Sequence, residues 1–281
     1  MKQRLNTSKR SFVSFDNFSG IKFLILLLLI IGAAIVLSPL IIVLLTSLQG
    51  DRAGFNYSFT LENYQEAWNR GKFWLAFANS TLVALAVTAL QIITSSLAGY
   101  ALARLKFWGR AGILLLILTT LVIPFQLLVI PIFVILKWGH LINSYWALIL
   151  PTAANGFGIF LMRQYFISLP IELEEAATLD GANRWQILTN IMLPLSRPAL
   201  VTLFLFTFIG EWNDLFKPLV FTTRPELRTV QLALSEFQEQ FTNDWSLLMA
   251  AVIIATIPVL VLFLIGQKQF IQGISTTGIK S

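Results

Sequence analysis

The chain has 281 residues, 56% of them hydrophobic and only 12% charged, about half the charged share of an ordinary soluble domain. Folded in water it would expose large apolar patches, so a surface facing lipid is the simpler reading and a soluble globular domain is excluded. The net charge of +6 is spread over short loops rather than gathered on one polar face, which argues against nucleic acid as a partner, and the lack of cysteine excludes disulfides, thiolate metal sites and cysteine nucleophiles.

A spanning helix needs about 20 mostly apolar residues. Six segments meet that test, at about residues 21–48, 74–103, 111–136, 145–166, 198–221 and 247–266, so the fold class is all-α, a polytopic membrane protein read as a single domain over residues 1–281. The basic start (Lys2, Arg4, Lys9, Arg10) followed by an apolar run resembles a secretory signal. That run continues without charge from Phe23 to Leu48, too long for a signal core, and it is read as an uncleaved first span. The first two spans exceed the bilayer thickness and are expected to tilt or to project beyond it. Pro39, Pro124, Pro131, Pro151 and Pro258 fall inside spans, where neighbouring helices can satisfy the backbone groups a proline frees.

Loop charge sets the orientation. One side collects Lys2, Arg4, Lys9, Arg10 and Lys22 at the N-terminus and Arg104, Lys106 and Arg110 in the loop after span two. The same side takes Arg163, Arg184 and Arg197 around the loop after span four, and Lys268 and Lys280 in the tail. The other side holds Arg52, Arg70, Lys72, Lys137, Lys217, Arg224 and Arg228. The excess places both termini in the cytoplasm and the polar segments 49–73 and 222–246 outside.

The loop between spans four and five, residues 168–198, is long enough to have structure of its own. Pro170 suits the first turn of a helix, with Glu172, Glu174 and Glu175 near its positive end. Gly181 is a natural stop. A second helix can follow from Ala182 to Leu193, with Ile187, Leu188, Ile191 and Met192 on one face. Periodicity alone leaves two readings open, a projecting helical pair or an amphipathic loop lying on the membrane surface.

Span five carries Glu211, Asn213 and Asp214. Counted from Pro198, Glu211 lies about 20 Å into a hydrocarbon core of about 30 Å, where charge normally faces a cavity or a partner. Two readings stand: a solute-pathway lining, or an early end of the span that leaves the cluster at the outer interface. Asn79, Ser80, Gln91, Thr94, Ser95 and Ser96 in span two, Gln126 in span three and Asn155 in span four serve either solute contact or helix packing. His140 is the one histidine and has no clustered carboxylates, so neither a metal nor a catalytic site is expected, and no cofactor.

Glu175-Ala176-Ala177, then three residues, Gly181, nine residues, Ile191-Met192-Leu193-Pro194 matches every fixed position of E-A-A-x3-G-x9-I-x-L-P. This resembles the coupling loop of bacterial ATP-driven, binding-protein-dependent importer permeases. The six spans, the outer segment 49–73, the sequence Glu211-Trp212-Asn213-Asp214 and the tail 273–281 are similar to the second permease subunit of carbohydrate importers of the maltose and glycerol-phosphate type. The resemblance implies a subunit of the bacterial cytoplasmic membrane that works with a second homologous permease subunit, a cytoplasmic ATPase dimer and an extracytoplasmic solute-binding protein. It implies that Glu175, Ala176, Ala177, Gly181, Ile191, Leu193 and Pro194 form the element that docks on the ATPase. Glu211, Asn213, Asp214, Asn155 and Gln126 remain candidates for the solute path. No G-x4-G-K-[ST] phosphate loop occurs, so a transport subunit without its own ATPase site is expected. The alternative is a secondary transporter or channel acting alone, for which inverted repeats or a ring of intramembrane charge would be the signature.

The orientation is testable because the chain has no cysteine of its own. Asn63→Cys and Glu236→Cys should react with an impermeant thiol reagent added outside, and Phe107→Cys should be protected until the membrane is opened. Reversal at any of the three positions refutes the topology.

Overall fold

The structure, a computed structural model, describes residues 18–50, 59–241 and 244–278. Lys2, Arg4, Lys9, Arg10, Arg52 and Lys280, which entered the orientation argument, lie outside the described residues, as do 51–58 of the first outer segment and the last three residues of the tail. Among the described residues the chain is all helical apart from one isolated bridge between Gln49 and Phe59.

Helix α1 (Phe18–Ser47) is apolar on every side and continues through Pro39. The rest of the chain leaves it almost wholly uncovered, as expected of a helix whose solvent is lipid. Its end is fixed to α2 (Glu62–Arg70) by polar contacts. Ser47 Oγ lies 2.6 Å from the Tyr64 hydroxyl, and Asn63 Nδ2 donates to the carbonyls of Ser47 (2.9 Å) and Gln49 (2.8 Å). Helix α3 (Phe73–Arg104) is the long central element. At 1.5 Å per residue its 32 residues reach about 48 Å, well beyond a bilayer core.

The third span is not one helix. Helices α4 (Arg110–Thr120) and α5 (Phe125–Trp138) meet at 100°. Pro124 sits at the corner in an extended conformation with no N–H to continue the ladder. Pro131, about two turns further on, stays inside α5. The fourth span bends by 45° between α6 (Tyr145–Ile149), extended by a 3₁₀ turn at Leu150–Thr152 that contains Pro151, and α7 (Gly156–Ser168). The loop after the fourth span forms α8 (Glu172–Leu179), α9 (Arg184–Ile187), a π turn over Leu188–Met192 and α10 (Leu193–Leu195), and then turns by 77° into α11 (Arg197–Trp212). The fifth span, expected at about 198–221 with an early end as the other reading, is not one helix: α11 stops at Trp212, and after Asn213–Leu215 a separate α12 (Phe216–Phe221) takes over. A 3₁₀ turn (Pro225–Leu227), α13 (Val230–Gln240) and α14 (Trp245–Gly278) complete the chain, α14 passing through Pro258 unbroken. Three continuous helices are long and apolar enough to cross a membrane, or up to six spans if each bent pair counts as one, the third pair joining Arg184–Leu195 of the loop to Arg197–Trp212.

The two largest of four apolar clusters among the described residues hold the bundle. One joins Phe73, Phe208, Trp212, Phe237 and the small face of α14 at Ala250 and Ala251, and the Trp212 indole N–H is satisfied by the Ala255 carbonyl at 3.0 Å. The other joins Tyr100, Met162, Phe166 and Leu203 to Ile187, Leu188 and Met192 of the loop. Without a hydrophobic drive between helices in lipid, small residues set the approach. Gly99 of α3 faces α7 so closely that a Cβ there would stand 2.9 Å from Met162 Cβ and 3.0 Å from the Arg163 nitrogen. Gly99→Leu should therefore destabilise the protein by about 1–3 kcal/mol or more through overpacking, read as a lower unfolding midpoint in detergent. Gly112→Ala, where nothing lies within 4 Å, should leave the midpoint unchanged.

Candidate functional site

Two regions concentrate the residues singled out by sequence. The first is the loop elbow. Helix α8 opens with Glu172, Glu174 and Glu175 in its first turn, where the carbonyl of Ile171 accepts from the amides of Glu174 (3.0 Å) and Glu175 (3.1 Å). Pro170 lies just before this turn rather than inside it. The helix closes in a full Schellman motif: Ala182 N–H donates to the Ala177 carbonyl (2.9 Å) and Gly181 N–H to that of Thr178 (3.1 Å). Gly181 has φ +84 with nothing within 4 Å of a notional Cβ, so glycine is required by backbone conformation and not by crowding. Asn183 and Gln186 then start α9 with a capping box, each side chain accepting from the other's backbone at 2.9 and 2.8 Å. The π turn at Leu188–Met192 directly precedes Pro194, whose ring would clash with the carbonyl four residues back in a regular helix.

The elbow has two faces. Ile187, Leu188 and Met192 are buried against Tyr100, Met162 and Phe166, and Ile191 and Leu193 pack on the same cluster. The apolar side of the second helix is thus consumed by the protein's own interior, not left for a membrane surface. Ala177 is buried, whereas Glu175, Ala176 and Pro194 are exposed. Leu179 is 89% exposed and Trp185 63%, an apolar pair set among Glu172, Glu175 and Asp180.

Sequence reasoning missed the role of Glu174. It is buried, 2.6 Å from Arg104 at the end of α3, 3.2 Å from the Tyr100 hydroxyl and 3.6 Å from Arg184. Its spacing from Ala177 on the inner side of α8 was the available signal, since residues three apart share a helix face.

The second region is the break after α11. Lys217 Nζ is buried 2.6 Å from Glu211, 3.3 Å from Asp214 and 2.7 Å from the Thr152 hydroxyl. Asp214 also caps α12, accepting from the amides of Phe216 (2.9 Å) and Lys217 (3.3 Å). The cluster is therefore paired, and it ties the break between α11 and α12 to the 3₁₀ turn of the fourth span. A cavity of about 10 Å³ beside it, lined by Ser80, Glu211, Asp214, Lys217 and Thr229, has room for one water at most. Asn213 points outward and accepts from Gln231 Nε2 at 3.1 Å. Gln126 is exposed on α5, and Asn155 is an exposed N-cap of α7 accepting from Phe157 N–H at 2.7 Å.

Several polar residues of span two are satisfied within the chain, whereas the buried hydroxyls of Thr88, Ser95 and Ser96 have no hydrogen-bond partner among the described residues. Asn79 Nδ2 donates to the carbonyls of Glu226 and Arg228, both at 2.8 Å, and its Oδ1 accepts from the Tyr145 hydroxyl at 2.7 Å. Ser80 Oγ accepts from Val230 N–H at 2.9 Å. Gln91 donates to the Thr152 carbonyl (2.7 Å) and accepts from Thr207 (2.9 Å). Among the described residues no group of three or more His, Asp or Glu could hold a metal ion.

The lysine is the keystone of the second region. Lys217→Met should strand two carboxylates and cost about 3–5 kcal/mol. Yield of monodisperse protein and its unfolding midpoint would both fall. The triple change Lys217→Met, Glu211→Gln, Asp214→Asn should recover much of the loss. No loss in the single variant would mean the ion cluster does not hold the break.

Residues 91–276, which include the last part of α3, all of α4 to α13 and most of α14, match the family model described as binding-protein-dependent transport system inner membrane component. The chain is 35% identical over 250 residues to the probable ABC transporter permease protein YurM of Bacillus subtilis (strain 168), covering 86% of this chain and 83% of that protein. It is 32% identical over 274 residues to the sn-glycerol-3-phosphate transport system permease protein UgpE of Salmonella typhi, covering 92% and 98%. It is 34% identical over 224 residues to the arabinooligosaccharides transport system permease protein AraQ of Halalkalibacterium halodurans, covering 79% and 80%. In structure it is similar to a chain of a bacterial ABC transporter involved in the import of the acidic polysaccharide alginate, with a TM-score of 0.77 and 26% identity over 93% of this chain and 100% of that one. With a helical elbow at the motif position, bent spans and relatives matched over most of their length, the chain belongs to the family of binding-protein-dependent transport system inner membrane components.

Proposed function

We propose that this chain is one permease subunit of an ATP-driven importer for a carbohydrate-type solute, a sugar, oligosaccharide, glycoside or glycerol-phosphate. It pairs with a second homologous permease subunit in the bacterial cytoplasmic membrane, both termini facing the cytoplasm and lipid covering its apolar flanks. The loop 168–198 rests on a cytoplasmic ATPase dimer, and a solute-binding protein outside delivers the solute. Closure of the ATPase dimer moves the loop and switches the permease pair between inward- and outward-facing states.

One observation carries this reading. The Schellman turn at Gly181 presents an acidic and apolar surface, with Glu175, Ala176 and Leu179 exposed, at the motif positions where the family docks its ATPase. Monomeric proteins seldom leave leucine and tryptophan this open on a polar projection unless a partner covers them. Relatives named for arabinooligosaccharides and sn-glycerol-3-phosphate, and the likeness to an alginate importer chain, support a polyhydroxylated solute. Its path is proposed to pass the exposed amides of Gln126, Asn155 and Asn213, with Glu211 and Asp214 bordering it from the lysine cluster.

Glu175→Lys reverses a charge at the proposed contact, and Gly181→Leu forces a branched side chain into left-handed backbone at about 1 kcal/mol or more. Both variants should insert normally, because the spans are untouched. Both should reduce co-purification of the ATPase and abolish uptake of whichever of arabinooligosaccharide or glycerol-phosphate the unaltered complex transports. Normal ATPase binding in both variants would remove the main support for the loop as docking element. Uptake by the chain alone would favour a self-sufficient transporter.

A further inference from the structure

Glu174 and Glu175 are sequence neighbours that do different things. Glu175 is exposed, whereas the Glu174 side chain is 3% exposed. Of the eight residues of α8, Glu174 and Ala177 alone are buried. A methyl group offers little grip, so the helix with the exposed face is held to the bundle chiefly through one carboxylate.

That carboxylate meets a junction. Its Oε1 is 2.6 Å from Arg104 Nε, and its Oε2 accepts from the Tyr100 hydroxyl and lies 3.6 Å from Arg184. Arg104 is the last residue of α3, and its Nη2 also donates to the carbonyl of Leu169, just past the end of α7, at 2.6 Å. Arg163 of α7 closes the same junction by donating to the Leu102 carbonyl at 3.2 Å. The second half of the elbow is attached differently, by apolar packing of Ile187, Leu188 and Met192. Apolar contact is non-directional and tolerates sliding, while a buried carboxylate paired with Arg104 and hydrogen-bonded by the Tyr100 hydroxyl is costly to pull from its partners. For stability alone an apolar residue of similar volume would serve as well as a buried ion pair.

We infer that Glu174 is a positioning residue that transmits displacement of α8 to α3 through Arg104. Helix α3 is suited to carry it. Trp74 stands at its opposite end, about 45 Å from Arg104 along the axis, and Asn79 and Ser80 bind that end to the segment 226–230. A shift at the elbow thus arrives across the full length of the central span. This rests on the proposed docking of an ATPase on the exposed face of α8, and it adds a residue that never touches that partner.

The test uses the assembled complex with cysteine-free partner subunits. Trp74 is 64% exposed, so Trp74→Cys takes a nitroxide label in this cysteine-free chain, and the spectrum is recorded before and after magnesium-ATP with vanadate. Without further change the label should report a shift. Glu174→Gln and Arg104→Gln should each retain the ATPase on co-purification and reduce that shift by at least about fivefold. The double variant should be no worse than either single one, because all three remove the same contact. A purely structural role would lower the yield of complex and leave the shift per assembled complex intact, which overturns the inference. So does a label at Trp74 that ignores nucleotide in the unaltered chain. Loss of the ATPase in Glu174→Gln also overturns it while leaving the docking reading in place, whereas intact docking in Glu175→Lys counts against docking and not against transmission. If Glu174→Gln does not yield folded permease at all, Glu174→Asp, which keeps the charge and shortens its reach, is measured with the same outcomes.

Discussion

A helix broken inside a membrane leaves carbonyls that hydrocarbon cannot satisfy, and that constraint organises the bundle. The donors come largely from one unbroken helix. Gln91 of α3 reaches the Thr152 carbonyl where the fourth span bends, and Asn79 reaches the carbonyls of Glu226 and Arg228 in the irregular run after α12. Arg104 takes the Leu169 carbonyl where α7 ends. Each of these amide or guanidinium groups on α3 lies opposite a place where another element stops. The polar residues along span two are therefore the condition on which the bent spans can exist, and the small residues between them, such as Gly99 against Met162, let the helices come close enough for short side chains to reach.

The two buried ion clusters follow the same logic with charge. Lys217 holds two carboxylates and a hydroxyl at the break between α11 and α12. Glu174 sits between two arginines and a tyrosine where α3, α7 and α8 converge. Neither is needed to fill space, and buried ion pairs are poor sources of net stability. What they supply is direction: a short bond between charged groups is lost steeply when either element rotates. Both clusters stand at junctions between separate helices, where rigid-body movement would be felt first.

The sequence was most legible where one local rule decides the outcome. Gly181 in left-handed backbone, the acidic first turn of α8 and the apolar face at Ile187, Leu188 and Met192 all follow from capping and periodicity. The six apolar segments were equally plain from composition. The bends were not. Pro124 breaks its span by 100° while Pro131, Pro39 and Pro258 sit inside continuous helices, because whether a proline breaks a helix depends on which neighbour can donate to the freed carbonyl. The end of α11 at Trp212 was only one of two readings that the sequence left open. The side chains that stabilise that stop, Asp214 capping α12 and Trp212 bonding to Ala255, work through partners in α12 and α14. Glu174 was overlooked for a related reason: the motif begins one residue later, and burial of a carboxylate shows only when Arg104, seventy residues upstream, is in place.

Helical geometry then separates two kinds of carboxylate on α8. At about 100° per residue, positions 174 and 177 point to one side and 172, 175, 176 and 179 to others. The inner side is closed by Arg104 and Tyr100, so the charge of Glu174 is neutralised within the protein. A partner approaching the elbow meets Glu172 and Glu175, the methyl group of Ala176, and the open side chains of Leu179 and Trp185. The surface complementary to that pattern is a cleft with an apolar floor and basic walls. An approaching cleft of this kind is drawn by the exposed carboxylates, while the buried one stays committed to α3. The docking proposed for this face and the attachment of α8 to the bundle thus fall on adjacent residues, Glu175 exposed and Glu174 buried.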